Sequence, residues 1–197
     1  MRGLCSGKQR LAATLTPVER ESLNRELLDR VLKAVGTALG GWQQCIVQSA
    51  DPHVVDEVDR RGGVGLLDLP GAGLNEALDQ ARGEARRRGA EQLLVLSADL
   101  PAITPQAVRQ LVSATNEASI AIVADKTGTG TNGLLLPAVI DFRFEFGHGS
   151  LDRHWRQCRR QDHAARIWNA WALQFDLDTE DDLRTWRRID GGAPSMR

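Results

Sequence analysis

A chain of 197 residues with 42% hydrophobic and 26% charged residues can fill one core, so a single domain over residues 1–190 is expected, with a disordered tail at 191–197. A formal net charge of -1 and a pI near 6.4 provide no overall field for nucleic acid, so an anionic ligand has to be held by local charge. Cys5, Cys45 and Cys158 are odd in number and far apart, against a disulfide framework or structural zinc site, and no apolar run reaches signal-peptide length or the roughly 18 residues of a membrane span, so a reducing cytoplasmic setting is expected.

Thr16, Pro17 and Glu19 form a capping box with proline at the first helical position, and Leu23, Leu27, Val31, Val35 and Leu39 recur at helical spacing up to Gly40-Gly41. A strand at Cys45 to Gln48, a helix at Val54 to Arg60 and a strand at Val64 to Leu69 follow, running into the Gly71-Ala72-Gly73 loop. Asn75 can cap the next helix, which ends in Arg86 to Arg88 before Gly89, where basic residues suit the helix dipole. Gln92 to Leu96 has the pattern of a buried strand, Thr104-Pro105 opens a helix, and Ile120 to Ala124 is a strand again. After a turn-rich loop at Lys126 to Asn132 come a strand at Gly133 to Pro137 and a basic helix from Ser150 through Arg160. Gln174 to Asp178 alternates as a strand, and Thr179 to Asp182 caps a closing helix. This alternation predicts an α/β sandwich with a mostly parallel sheet, whose ligands gather at the carboxyl ends of the strands.

Asp99 follows an apolar strand directly, so its carboxylate stands where such a sheet holds ligands, although aspartate also serves turns and caps. In Phe175-Asp176-Leu177-Asp178 a period of two turns both carboxylates to one face. Like charges side by side are costly without a cation, and hard oxygen donors suit magnesium, which shares its shell with substrate phosphates; a solvated edge ahead of the Thr179 cap fits the same residues. The loop Gly128-Thr129-Gly130-Thr131-Asn132 can turn consecutive backbone amides toward an anion, or form an ordinary hairpin. Lys8 and Arg10 can reach phosphates or remain a solvated basic end. The cluster Arg153, His154, Arg156, Arg159 and Arg160 fits a helical face of snorkelling arginines better than an RNA site, and with no Ser or Cys nucleophile pattern beside it His154 is assigned a structural role.

The order of these pieces carries more than any one of them. KQRL at Lys8 to Leu11, LNEAL at Leu74 to Leu78, SADLP at Ser97 to Pro101, GTGTN at Gly128 to Asn132, FGHGS at Phe146 to Ser150 with His154 beyond it, and DLDTEDDL at Asp176 to Leu183 together resemble the 2-phospho-L-lactate guanylyltransferase family, including its phosphoenolpyruvate-using members, over nearly the whole chain. The resemblance implies a nucleotidyltransferase fold, a three-layer α/β sandwich like that of the nucleotide-diphospho-sugar transferases. It places Asp99, Asp176 and Asp178 on magnesium-binding aspartates, Thr131, Gly147 and Ser150 on positions that contact the phospho-acid, Lys8 and Arg10 on the catalytic basic pair near the nucleotide phosphates, and Asn75 near the nucleotide. It also places an apolar strand before the lysine-arginine segment, where Met1 to Ser6 are too few and too polar, so a short or missing first strand is expected.

By the same resemblance the partners are GTP and a small phospho-carboxylic acid, with Mg2+ as cofactor. The products are a diphospho-5'-guanosine adduct and pyrophosphate, made on the route to the deazaflavin coenzyme F-420. Phosphoenolpyruvate or 3-phosphoglycerate is favoured as acceptor over 2-phospho-L-lactate on the bacterial cast of the composition. The competing readings are a nucleotidyltransferase for molybdopterin or a sugar phosphate, which usually carries an N-terminal Gly-rich loop not seen here, and a GTP-binding homologue without catalysis.

Overall fold

In the computed structural model, residues 8–114 and 119–190 are described. The expected strand at the start of the chain and the expected disordered tail at 191–197 both lie outside these residues. The chain opens with a 3-10 turn at Gln9–Leu11 and helix α1 at Pro17–Leu39, followed by β1 Ile46–Ser49, α2 Pro52–Arg60, β2 Val64–Leu67, α3 Leu74–Arg87, β3 Gln92–Leu96 and α4 Pro105–Ser113. Then come β4 Ile120–Ala124, β5 Thr131–Pro137, α5 Ser150–Arg160, β6 Ala165–Trp168, α6 Trp171–Gln174 and α7 Glu180–Asp190.

Helix α1 begins as its residues dictate. The Thr16 hydroxyl accepts from Glu19 N–H, the Glu19 carboxylate accepts from Thr16 N–H, and Gly40 closes the helix in the left-handed region at φ 80°. Thr104 caps α4 in the same manner, accepting from Ala107 N–H. The cap of α3 differs from expectation: Gly73 stands at the capping position, its N–H bonded to Glu76, and Asn75 lies inside the first turn with its side chain committed elsewhere.

Strands β3, β5, β4 and β6 form one sheet in that order, and β1 and β2 a second, parallel pair. In the larger sheet β5 runs antiparallel to both β3 and β4, while β4 and β6 are parallel, so β3, β4 and β6 share one direction. The period of two sorts the side chains of this sheet between two cores. Ala121, Val123 and Leu135 pack with Val31 and Ala34 of α1 and Val108 and Leu111 of α4, while Ile120, Ile122, Leu134 and Leu136 pack on the other face with Phe142, Phe144 and Cys158. Helices therefore cover both faces, the three layers implied by the family resemblance. A further cluster of Leu11, Leu23, Leu27, Phe175, Leu177, Leu183 and Trp186 fastens α7 to the first half of α1.

Two elements differ from the sequence-based expectation. Gln174 to Asp178 forms no ladder: it ends the short helix α6 and continues as an extended segment tied to Asp99, whose carbonyl accepts from Leu177 N–H at 3.0 Å. Its alternation is nevertheless real, because Phe175 and Leu177 are buried at 5% and 0% exposure while Asp176 and Asp178 face the other way. Strand β6, not anticipated, pairs among the described residues only with β4; its half-exposed Ala-Arg-Ile-Trp composition carries little of the apolar signal of an inner strand.

Between β1 and β3 no described strand completes the sheet. The two edges instead wall a cleft of about 1900 Å³, flanked by Leu28, Val31 and Leu32 of α1 and by Ala77, Ala81 and Ala85 of α3, with Asp99 and Asp178 among its lining residues. This explains why every residue of β3 is only half-buried although its sequence is apolar.

Candidate active site

The topology brings the site together at one edge of the larger sheet. Because β5 is antiparallel to β3 and β4, its first residue, Thr131, lies at the same edge as the carboxyl ends of those strands, which deliver Asp99 and the loop Asp125–Gly130. Asn132 then holds the acidic segment against this edge, its amide donating to the carbonyls of Leu173 at 3.3 Å and Gln174 at 2.8 Å. The Leu177–Asp99 backbone bond completes the attachment, so that Asp176 and Asp178 lie beside Asp99.

Lys8 is the centre of this cluster. Its ammonium donates to Asp99 Oδ2 at 2.6 Å and to Asp178 Oδ1 at 3.0 Å, with the side chain only 6% exposed. Burial works against the Lys8 charge, but the carboxylates of Asp99 and Asp178 outweigh it and hold the ammonium above its ordinary pKa. Burial likewise opposes the Asp99 charge, and the Lys8 ammonium together with the Ser97 hydroxyl more than compensates, keeping Asp99 below the usual carboxylate range. Arg10 is 76% exposed and reaches Asp178 only at 3.9 Å, a solvent-screened contact.

Asp176 is in the opposite condition. Burial raises its pKa, Lys126 only partly offsets this, and the like charges of Asp178 and Asp99 push it further up. Its Oδ1 is buried without a hydrogen-bond partner, 3.6 Å from the Lys126 ammonium. A group whose folded pKa is raised favours the folded state below its unfolded pKa and loses that contribution as pH rises through the folded value. At neutral pH the ionised Asp176 therefore strains the fold. Asp176→Asn is expected to raise the melting temperature by about 1–4 °C near pH 7 while lowering turnover, and a thermal melt beside an activity assay checks both signs.

Lys126 carried no expectation beyond its place in a turn-rich loop, yet it belongs to the site. It donates to the Asp176 carbonyl at 2.6 Å and to Asp182 Oδ2 at 2.7 Å, and that same Asp182 oxygen accepts from the N–H groups of Asp178 and Thr179. The position after an apolar strand, at the edge where Asp99 also stands, was the only signal that could have found it.

The Gly-rich loop, for which an anion cradle and an ordinary hairpin both stood open, turns amides inward. The N–H groups of Thr127 and Thr129 converge on the carboxylate of Asp125, which also takes the Thr127 hydroxyl, so the anion held by the loop is its own aspartate. What the loop presents is Thr131, whose hydroxyl meets His154 Nδ1 at 3.0 Å. Gly147 at φ 122° and Gly149 at φ 70° adopt left-handed conformations that L side chains rarely take, and they set Ser150 at the start of α5 on the cleft wall. Asn75 lines the cleft as well, but both ends of its amide grip the backbone of Phe146: Oδ1 accepts from Phe146 N–H at 2.8 Å and Nδ2 donates to its carbonyl at 3.4 Å. Its visible task is to fasten α3 to the loop that carries Gly147.

Of the residues singled out from sequence, Lys8, Asn75, Asp99, Thr131, Gly147, Ser150, Asp176 and Asp178 all line the one cleft, and Arg10 stands outside it. Among the described residues no three histidine, cysteine, aspartate or glutamate side chains are close enough together to enclose an ion by themselves. No helix among them is long and apolar enough to cross a membrane. Among the described residues the cleft thus offers Lys8 paired with carboxylates at one end and a hydroxyl-bearing wall, with no activated nucleophile.

Comparison with known proteins agrees with this chemistry. Residues 1–186 match the family model described as "Guanylyl transferase CofC like". The phosphoenolpyruvate guanylyltransferase of Sphaerobacter thermophilus is 42% identical over 97% of this chain and 90% of its own length, and the 2-phospho-L-lactate guanylyltransferase of Methanoregula boonei is 31% identical over 89% and 74%. Among solved structures, a protein of Desulfovibrio desulfuricans G20 assigned as a nucleotide-diphospho-sugar transferase superposes with a TM-score of 0.74 at 15% identity, covering 100% of this chain and 87% of that one. A nucleotidyl transferase of Methanothermobacter gives 0.65 at 17%, covering 85% and 82%. At such identities these two likenesses speak to the fold.

Proposed function

Because the chain belongs to the guanylyl transferase CofC-like family, we propose that it transfers the guanylyl group of GTP to phosphoenolpyruvate on the route to coenzyme F-420. A phosphate oxygen of the acceptor attacks the α-phosphorus of GTP, the bond from that phosphorus to the β-phosphate bridging oxygen breaks, and pyrophosphate leaves with the electron pair. The product is enolpyruvyl-diphospho-5'-guanosine. The attacking oxygen is already anionic at neutral pH, which accounts for a site without an activated serine or cysteine. Alignment and charge neutralisation remain as the task, and holding two reactants in line is worth about 7 kcal/mol or more. Phosphoenolpyruvate is preferred to 3-phosphoglycerate and 2-phospho-L-lactate because relatives with that name reach 42% and 38% identity, against 31% for the 2-phospho-L-lactate enzyme.

The single observation that carries the reading is the Asp99–Lys8–Asp178 cluster with Asp176 beside it. The orphaned, buried Oδ1 of Asp176 and the carboxylates of Asp99 and Asp178 are hard oxygen donors, and they fit a magnesium ion that completes its shell with phosphate oxygens rather than with a full protein cage. When bound there, the ion would neutralise charge on the triphosphate and on departing pyrophosphate. Lys8 and Lys126 add fixed positive charge beside these carboxylates, while Thr131 and Ser150, which line the same cleft, bind the phosphate and carboxylate of the acceptor. A reaction drawing on GTP and phosphoenolpyruvate belongs in the cytoplasm.

The test is pyrophosphate release from GTP and magnesium, with phosphoenolpyruvate, 3-phosphoglycerate and 2-phospho-L-lactate supplied separately. Release with phosphoenolpyruvate, and much less with the others, is expected. GTP bound by a folded protein with no pyrophosphate released under any acid would instead identify a nucleotide-binding homologue without catalysis.

A further inference from the structure

His154 projects from α5 into the core and is fully buried, its ring packed 5.1 Å from Phe146 edge to face and 5.6 Å from Phe142. Both ring nitrogens are engaged. Nε2 lies 3.0 Å from the backbone nitrogen of Glu145, and Nδ1 lies 3.0 Å from Thr131 Oγ1. A backbone N–H can only donate, so Nε2 must present its lone pair, and a neutral imidazole with a bare Nε2 carries its proton on Nδ1. Burial, with Arg153 adding to it, pushes the His154 pKa down to about 4, so the ring is neutral at working pH.

A chain of donors follows from that tautomer. Glu145 N–H donates to Nε2, Nδ1–H donates to Thr131 Oγ1, and the Thr131 hydroxyl, having accepted, must send its own hydrogen elsewhere. Thr131 lines the cleft with Ser150 and Gly147, so the open direction is the cleft itself. We propose that His154 is a positioning residue for the acceptor: it locks Thr131 as a hydrogen-bond donor aimed at the phosphate of the phospho-acid. A free threonine hydroxyl rotates and accepts as readily as it donates; one held by an imidazole N–H meets an anion already oriented. This rests on the acceptor-binding role given to Thr131 in the proposed reaction, and it assigns the buried histidine a part in that reaction beyond packing.

Three variants and one spectrum test it. In His154→Asn the side-chain amide nitrogen falls near the place of Nδ1 and keeps a donor for Thr131. In His154→Gln the longer side chain keeps an acceptor for Glu145 N–H but withdraws the donor. In Thr131→Val the hydroxyl is gone with the shape retained. His154→Gln and Thr131→Val are each expected to raise KM for the phospho-acid about ten- to a hundredfold, with KM for GTP little changed, and the double variant to be no worse than Thr131→Val alone. His154→Asn is expected to recover most of the loss. Equal damage from His154→Asn and His154→Gln, or effects that multiply in the double variant, would leave His154 a packing residue and overturn the proposal. Should His154→Gln fail to fold, an imidazole nitrogen–proton correlation spectrum of the wild-type chain decides: a proton on Nδ1 and none on Nε2 is required, and the reverse tautomer refutes it. The spectrum needs no turnover, so a wild-type chain with the required tautomer and no guanylyl transfer would count against the proposed reaction and leave the donor chain standing.

Discussion

Asp99→Asn is expected to lower turnover by at least about a thousandfold while the protein remains folded. The substitution keeps the shape of the side chain and a hydrogen-bonding oxygen but removes the charge that Lys8 contacts at 2.6 Å. Lys8 keeps Asp178 at 3.0 Å, so the ammonium is not stranded, and the stability cost stays near 1–3 kcal/mol. Loss of rate far beyond what that destabilisation explains would place Asp99 in the reaction itself. Circular dichroism and a thermal melt establish that the variant folds, and pyrophosphate release then measures the loss; near-wild-type turnover by a folded Asp99→Asn protein would remove this aspartate from the chemistry.

Lys8→Met carries the second large effect, and it acts on stability as much as on rate. Lys8 is buried, but the two carboxylates that lose their shared cation are 27% and 39% exposed, so solvent screens part of the loss and the cost is about 1–3 kcal/mol. For a chain of this size that is a fall in melting temperature of roughly 2–12 °C. The pH dependence separates this cause from simple loss of packing. Asp99 has its folded pKa lowered, so its contribution is present above the unfolded value near 3.9 and disappears as pH falls through the folded one; Lys8 has its folded pKa raised, so its contribution is present below the unfolded value near 10.4 and fades as pH rises past the folded one. The penalty of Lys8→Met should therefore be full between about pH 5 and pH 10 and shrink below pH 4. Adding Asp99→Asn to Lys8→Met should restore part of the stability, because the double variant no longer buries an unpaired Asp99; strict additivity of the two losses would contradict the pairing.

What could be read from sequence was what local rules govern. The capping box at Thr16 and Glu19, the threonine cap at Thr104 and the apolar run of β4 needed only near neighbours, and each folds as those neighbours require. The alternation of Phe175, Asp176, Leu177 and Asp178 was read correctly as a separation of faces and wrongly as a strand. Two inward anchors impose a period of two on any extended segment, and a ladder needs a neighbour that sequence does not reveal. Asn75 failed as a helix cap for a related reason: its partner, the backbone of Phe146, is 71 residues away. The Gly-rich loop left two readings open because sequence does not show that Asp125, just ahead of it, takes the amide donors at Thr127 and Thr129 that an external anion would have received. Lys126 and the donor chain through His154 depend wholly on which strand ends meet, which the antiparallel β5 determines and which composition, spacing and motif order do not encode.

The family resemblance supplied residue types and the structure supplies their relations. Lys8 lies between two carboxylates, Arg10 remains outside the cleft, and Asp176 bears a buried oxygen without a hydrogen-bond partner that neither motif nor spacing could have indicated. Asp99, held down by Lys8, and Asp176, pushed up by burial, diverge in the way expected of a site that exchanges part of its internal pairing for a charged ligand.

The most direct measurement is the identity of the product formed from GTP and phosphoenolpyruvate with magnesium, followed by phosphorus NMR and mass spectrometry. A pair of coupled diphosphate resonances, with the mass of GMP joined to phosphoenolpyruvate through loss of water and one pyrophosphate released per adduct, is the predicted result. Intact GTP beside a folded protein, or GMP and pyrophosphate formed without the adduct, would contradict guanylyl transfer to this acceptor.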